Sequence, residues 1–225
     1  MATRKFNIFV EGTDDHDLVL VLVRQLRGTA RHPAIANTRA GQLVATYLLL
    51  PESGDELLIA SVGGWDKLGA NQAFQVQEAR NSGGKTLVVF DADKDPDQRA
   101  ALLTQRIAAD DPDAGVYLLP GPGQAGELET LLLQLVPPAH RAVMDCYDRY
   151  EHCLQQLVVN GQNYYNTPSP KRRIYDYVNV MPLQGKEWER HHEKGGQKIF
   201  ENPDLWNLDA PVLQPLRAFL DLHIR

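Results

Sequence analysis

Acidic side chains follow three separate apolar runs of the 225-residue chain. Glu11 comes after Lys5–Val10 (KFNIFV), with Asp14 and Asp15 close behind. Asp91 and Asp93 come after Thr86–Phe90 (TLVVF), and Asp95 and Asp97 are next. Glu127 and Glu129 come after Gly115–Leu119 (GVYLL) and the turn Pro120-Gly121-Pro122-Gly123. Carboxylates gathered in one place repel and raise one another's pKa values. A divalent cation resolves that conflict, and carboxylates with room for water and phosphate oxygens are what Mg²⁺ prefers. Alternate residues of an extended strand face the same side, so Asp91 and Asp93 are expected to reach one ion. Each acid alone is equally at home as a helix cap or loop end; the set is what points to a metal site.

For the set to assemble, the three runs must be strands of one parallel sheet, whose carboxyl ends form the binding edge. Their continuous apolar character suits a sheet covered on both faces. Helices are expected between them. Asp14–Arg27 reads as one, with Thr13 or Asp14 as its cap and acids in its first turn. Leu57–Val62 reads as a further strand closed by Gly63-Gly64, and Lys67–Asn81 as a helix stopped by Ser-Gly-Gly. Asp97–Ala109, Gly126–Val136 and Ala139–Val158 complete the helices of this stretch. Leu43–Leu50 fits helix or strand, since a short apolar run does not decide between them. From Asn160 the composition turns aromatic, basic and proline-rich, and periodicity is weak until Pro211–Leu222. The expectation is an α/β domain over residues 1–136 and a mainly helical extension over 137–225 packed on it. There is no internal repeat and no low-complexity linker.

Two of these segments resemble the TOPRIM domain of topoisomerases, bacterial primases, rRNA-maturation nucleases and OLD-family nucleases. Phe9-Val10-Glu11-Gly12-Thr13-Asp14-Asp15 is similar to the family's Glu-Gly motif, and Val88-Val89-Phe90-Asp91-Ala92-Asp93 to its Asp-x-Asp motif. Val62-Gly63-Gly64 and Gly126–Leu132 resemble a stand-alone prokaryotic subgroup, largely of unassigned function. The likeness covers about residues 5–135. It implies a TOPRIM-like, Rossmann-like sheet. It also implies that Glu11 is a metal ligand or general acid/base, and that Asp91 and Asp93 are Mg²⁺ (or Mn²⁺) ligands. Asp15 falls where OLD-like members place a second acid, and Glu129 at the site rim; either would serve a second ion. Metal-assisted cleavage or processing of nucleic-acid phosphodiesters is the implied activity, with an ATPase as an implied partner. Lys94 follows where many members have glycine, and is a candidate phosphate contact. No tyrosine nucleophile is identifiable, so topoisomerase activity is not expected.

Two other functions compete. One is a non-catalytic module that binds nucleotide or nucleic acid within a larger complex. Lys171, Arg172 and Arg173, interleaved with Tyr164, Tyr165, Tyr175 and Tyr177, would then bind a strand by charge and stacking. The other is a haloacid-dehalogenase-like phosphatase, suggested by Val-Phe-Asp-Ala-Asp alone. Gly83-Gly84-Lys85-Thr86 imitates the end of a P-loop, but position 79 is alanine and a strand follows, so it reads as a helix stop. His191-His192 reads as a solvated helix face. Trp206, Leu208, Val212, Leu213, Leu216, Phe219 and Leu220 read as the apolar face of one helix.

Composition bounds the rest. Hydrophobic residues make up 43% and charged residues 23%, which suits a folded core. The net charge is -6, carried by residues 1–159 at -7 against +1 for the tail, which argues against a highly basic protein that coats nucleic acid. No apolar run approaches the ~20 residues of a membrane span, and the first residues lack a signal-peptide core. A cytoplasmic protein is expected. Cys146 and Cys153 lie seven residues apart on one expected helix, too far for a disulfide.

Overall fold

The computed structural model describes residues 3–28, 36–40, 43–192 and 198–224. The chain begins with strand β1 (Lys5–Val10), helix α1 (Thr13–Arg27), β2 (Ala36–Ala40), β3 (Leu43–Leu49) and β4 (Glu56–Ser61). It continues through α2 (Ala73–Ser82), β5 (Thr86–Asp91), α3 (Pro96–Ala108), β6 (Gly115–Leu119) and α4 (Leu128–Leu135). Helix α5 (Arg141–Gln156) and a minimal hairpin of β7 (Val158–Val159) and β8 (Gln162–Asn163) come next. Helices α6 (Pro170–Asn179), α7 (Gly185–His192) and α8 (Gln214–His223) complete a mainly helical C-terminal region. The architecture is the expected one: a Rossmann-like α/β fold with a mostly parallel sheet flanked by helices.

The sheet order is β2-β3-β4-β1-β5-β6. Strands β4, β1, β5 and β6 pair in parallel, and β3 runs against β2 and β4. The chain leaves β1 to build the β4 side and then crosses to β5. The switch point, where open α/β sheets bind ligands, therefore lies between the carboxyl ends of β1 and β5. Helix α1 packs on β4, α2 on β1 and β5, and α3 on β6. Phe9, Leu58, Val88, Phe90 and Leu118 form one core face with Val76, Leu103 and Ile107 of α2 and α3. Alternate residues such as Ile8, Val10, Ile59 and Val89 are buried on the opposite face. Truncating a ring such as Phe90 to alanine would cost about 3–5 kcal/mol.

The structure departs from expectation at several elements. Gly12, not Thr13 or Asp14, precedes α1, and Asp15 reaches back to accept its N–H at 2.8 Å. The ambiguous run is strand β3. Its Val44, Thr46 and Leu48 are buried, while Leu43, Tyr47 and Leu49 are exposed. That alternation is hidden in the sequence because both faces are apolar. Strand β2 was not anticipated. The helix expected from Lys67 starts only at Ala73. Leu68 is extended (φ -67°, ψ 133°) and buried, so two single 3₁₀ turns precede α2. Gly83-Gly84 is a helix stop and strand start, as read. A Cβ on Gly84 would lie 1.8 Å from the Lys5 carbonyl oxygen, so only glycine fits against β1.

The chain divides into two compact units, Met1–Leu128 with Pro211–Arg225, and Glu129–Ala210. The end of the chain thus groups with the sheet rather than with the extension drawn from composition. Leu213, Leu216 and Leu220 are buried there, and Arg27 of α1 binds Asp221 at 3.0 Å. Trp206 and Leu208, expected on the same helix face, instead belong to the other unit. There Trp206 packs against Tyr177 and Phe200, and Tyr177 donates to the Leu205 carbonyl at 2.9 Å. His191 is buried at 1% exposure, contrary to the expected solvated face, and lies against Tyr175; His192 is exposed and stacks on Trp188. Both cysteines are exposed and free. No helix among the described residues is long and apolar enough to cross a membrane.

Helix α8 docks beside a titratable contact. Lys85 donates to His223 Nδ1 at 3.3 Å, and burial, then the Lys85 charge, holds the His223 pKa below its ordinary value. The unfolded chain therefore binds the proton more readily, so stability falls as pH drops through the region just below 6.5. His223→Gln should flatten this dependence in denaturant melts between neutral and mildly acidic pH. An unaltered slope would show that His223 does not set it.

Candidate functional site

Glu11 is the first residue beyond β1, and Asp91 is the last residue of β5. The parallel register that pairs Val10 with Val89 brings them to the same edge. The Glu11 carboxylate accepts backbone N–H groups from Asp91 and from Trp65. Trp65 reaches it through Gly63-Gly64, the turn that closes β4. Gly63 donates to the Glu11 carbonyl at 2.9 Å. Gly64 has φ 131°, and a Cβ there would sit 2.8 Å from Asp66 Oδ1, so the turn requires glycine. Two backbone donors from two neighbouring strand ends thus orient one carboxylate.

Glu11 is nevertheless poorly satisfied. Its Oε2 is buried and has no hydrogen-bond partner. Burial pushes its pKa up, the Asp66 charge adds to this, and Arg99 with the two backbone donors opposes it. A buried carboxylate oxygen without a partner is uncommon in a folded protein.

The two aspartates part company. Asp91 Oδ1 accepts the Leu128 N–H at 2.8 Å, which fixes the carboxylate at the sheet edge. Asp93 lies beyond the strand, in the left-handed region (φ 53°), and forms an isolated antiparallel bridge with Gly126. Strand alternation therefore does not extend to Asp93. Its side chain is ion-paired with Arg99. Among the described residues no group of three or more His, Cys, Asp or Glu side chains is gathered closely enough to hold a metal. Glu11 and Asp91 meet at the edge through the Asp91 N–H, and Asp66 is the acid whose charge acts on Glu11. Two acids still fit Mg²⁺, which is usually held by one or two carboxylates with water and phosphate completing the shell.

The remaining candidates have surroundings of their own. Asp15 is 6% exposed and serves the start of α1 through Gly12. Lys94 is exposed in the turn before α3. Glu129 belongs to the other unit, where it pairs with Lys198 at 3.4 Å, both buried. In that unit the basic run is largely neutralised. Arg172 binds Asp176 at 2.8 Å, and Arg173 pairs with Asp148 and, at 3.7 Å, Glu151. Lys171 is exposed, as are Tyr164, Tyr165 and Tyr175, whereas Tyr177 is core.

Sequence reading missed Trp65, Arg99 and Arg106. The two arginines stand seven residues apart on α3, on one helix face. Their guanidinium carbons lie 4.8 and 4.9 Å from the Trp65 ring centroid. Arg106 also donates to the carbonyls of Asp66 and Leu68 at 2.8 and 3.3 Å, tying the loop after β4 to α3. The available signal was an aromatic directly after Gly-Gly at a strand end, followed by arginines at helical spacing after Asp-x-Asp.

Residues 5–224 match the family described as protein of unknown function, DUF3226. The chain belongs to that family. No curated protein matches it. The match spans both compact units, so the family is defined by the sheet and the helical region together.

Burial of Glu11 gives a measurable consequence. A carboxylate whose pKa is raised on folding penalises the native state above its ordinary range, and the penalty vanishes as pH falls below about 4.5. Glu11→Gln should therefore melt at a higher temperature than wild type at pH 7, with the gap closing toward pH 4. A variant less stable than wild type at pH 7 would refute this account of the site.

Proposed function

We propose that the β1–β5 edge is a divalent-cation site for phosphodiester chemistry on nucleic acid. The observation that carries this reading is the buried, unpartnered Oε2 of Glu11 beside Asp91 at the switch point of the sheet. The resemblance of the same two segments to the TOPRIM motifs supports it independently. Glu11 and Asp91 would hold Mg²⁺ or Mn²⁺. Such an ion, when bound, supplies Lewis-acid stabilisation of charge on a phosphoryl oxygen and lowers the pKa of water. The chain's own part is orientation. The N–H groups of Trp65 and Asp91 fix the Glu11 carboxylate, and the Leu128 N–H fixes Asp91, so neither must reorganise on binding. Asp93 takes part through Arg99 rather than as a third member of the pair.

The experiment is calorimetric titration of Mn²⁺ into wild type, Glu11→Ala and Asp91→Ala, followed by cleavage assays on labelled DNA and RNA oligonucleotides. Each variant should lose the binding event and reduce metal-dependent turnover by roughly a hundredfold or more. Mn²⁺ binding and turnover that survive in both variants would end the proposal. Binding of Mn²⁺ and oligonucleotide without cleavage would instead favour the non-catalytic binding module.

A further inference from the structure

Arg99 is poorly explained by the fold. It lies in the first turn of α3, where the helix dipole disfavours a cation. Its side chain is only 11% exposed, held on the Trp65 ring and by Asp93. Arginine stays charged and presents five N–H donors in a rigid fork. One end of that fork is committed to Asp93 through Nη2. The other, Nη1, is buried and has no acceptor. A buried donor without an acceptor is costly.

A second orphan stands nearby. Glu11 Oε2 is a buried acceptor without a donor, and the Arg99 charge acts on that carboxylate. The two groups sense each other, yet these two atoms make no bond together. A ligand that satisfied both would bring an acceptor to Arg99 and a positive charge to Glu11. A phosphate oxygen accompanied by a divalent cation has that chemistry, and a guanidinium fork matches phosphate geometry.

We infer that Arg99 is a substrate-binding residue whose Nη1 donates to a phosphate oxygen of the strand held at the β1–β5 edge. This rests on the cation reading above. Trp65 lies against the guanidinium and Asp93 takes Nη2, which leaves Nη1 as the end of the fork without an acceptor. Arg106 anchors the loop that carries Trp65 and so acts one step behind, as a positioning residue.

The test uses the full chain as wild type, Arg99→Lys and Arg99→Met, with thermal melts to confirm folding. Mn²⁺ alone is titrated first. Labelled single-stranded oligothymidylate and oligouridylate are then bound at saturating Mn²⁺ over a range of salt. Arg99→Met should retain Mn²⁺ binding and lose about tenfold or more in oligonucleotide affinity. Its log–log salt slope should fall by about 0.7, the loss of one phosphate contact on a single strand. Arg99→Lys should keep the slope, because the charge remains, and lose affinity because the fork is gone. Unchanged oligonucleotide affinity and slope in Arg99→Met overturn the inference. So does loss of Mn²⁺ binding in that variant, which would make Arg99 a structural prop, or absence of oligonucleotide binding by wild type. If Arg99→Met does not fold, Arg99→Lys decides, and affinity equal to wild type overturns the inference. Arg99-dependent binding without any cleavage leaves the inference standing and removes the cleavage reading alone.

Discussion

The parallel pairing of β1 with β5 is the constraint on which the candidate site depends. It places the carboxyl ends of both strands on one edge and fixes Glu11 beside Asp91 by register rather than by any attraction between them. Two like charges would not choose that arrangement. The apolar faces of the two strands impose it, through residues such as Phe9, Val10, Val88 and Val89 that are almost completely buried. A register slip of one residue would turn those side chains to the wrong faces, so the sheet has no low-cost way to separate the acids. The hydrophobic core thus holds two acidic residues at one edge.

The surrounding edge serves these acids with backbone dipoles and the Arg99 charge. Backbone N–H groups from Trp65 and Asp91 serve Glu11, and the Leu128 N–H serves Asp91. Arg99 adds a positive charge on the Asp93 side. These contacts lower the cost of ionised carboxylates without abolishing it, since burial still dominates at Glu11 and pushes its pKa up. A site fully neutralised by arginines would have no use for a metal. This edge instead keeps one buried carboxylate oxygen, Glu11 Oε2, and one buried guanidinium nitrogen, Arg99 Nη1, without hydrogen-bond partners.

The sheet was legible in the sequence because its strands are buried on both faces and therefore read as continuous apolar runs: β1, β5 and β6 match their expected bounds within a residue. Strand β3 was not, because Leu43, Tyr47 and Leu49 place apolar groups on the exposed face and erase the alternation. That Glu11 and Asp91 share one edge was expected on the condition that their strands are parallel neighbours, and β1 and β5 do pair in parallel. The separation of Asp93 was not, since it depends on the chain leaving β5 at Asp91 and turning through a left-handed residue to bridge Gly126. Trp65 and Arg99 escaped notice for a related reason. Their partnership joins the loop after β4 to the start of α3, thirty-four residues later, and no local pattern encodes it. The basic run at Lys171–Arg173 looked like a nucleic-acid surface because its carboxylate partners come from Asp148 and Glu151 on another helix as well as from Asp176 on its own.

Acids after strands are ambiguous by nature, because the strand end and the following helix start are adjacent in every βα unit and both favour carboxylates. What separates them is how their oxygens are used. Asp95 accepts the Gln98 N–H at 3.0 Å and caps α3. Asp111 accepts the Asp113 N–H at 3.1 Å and closes a turn. In each, an oxygen completes local backbone structure, and the residue type is explained by that bond alone. Glu11 differs. It caps no helix, its two backbone donors come from elements distant in sequence, and they leave Oε2 buried with no partner. Three strand ends were built around a carboxylate that no local turn requires. That convergence, rather than the number of acids nearby, is the physical ground for treating this edge as a site.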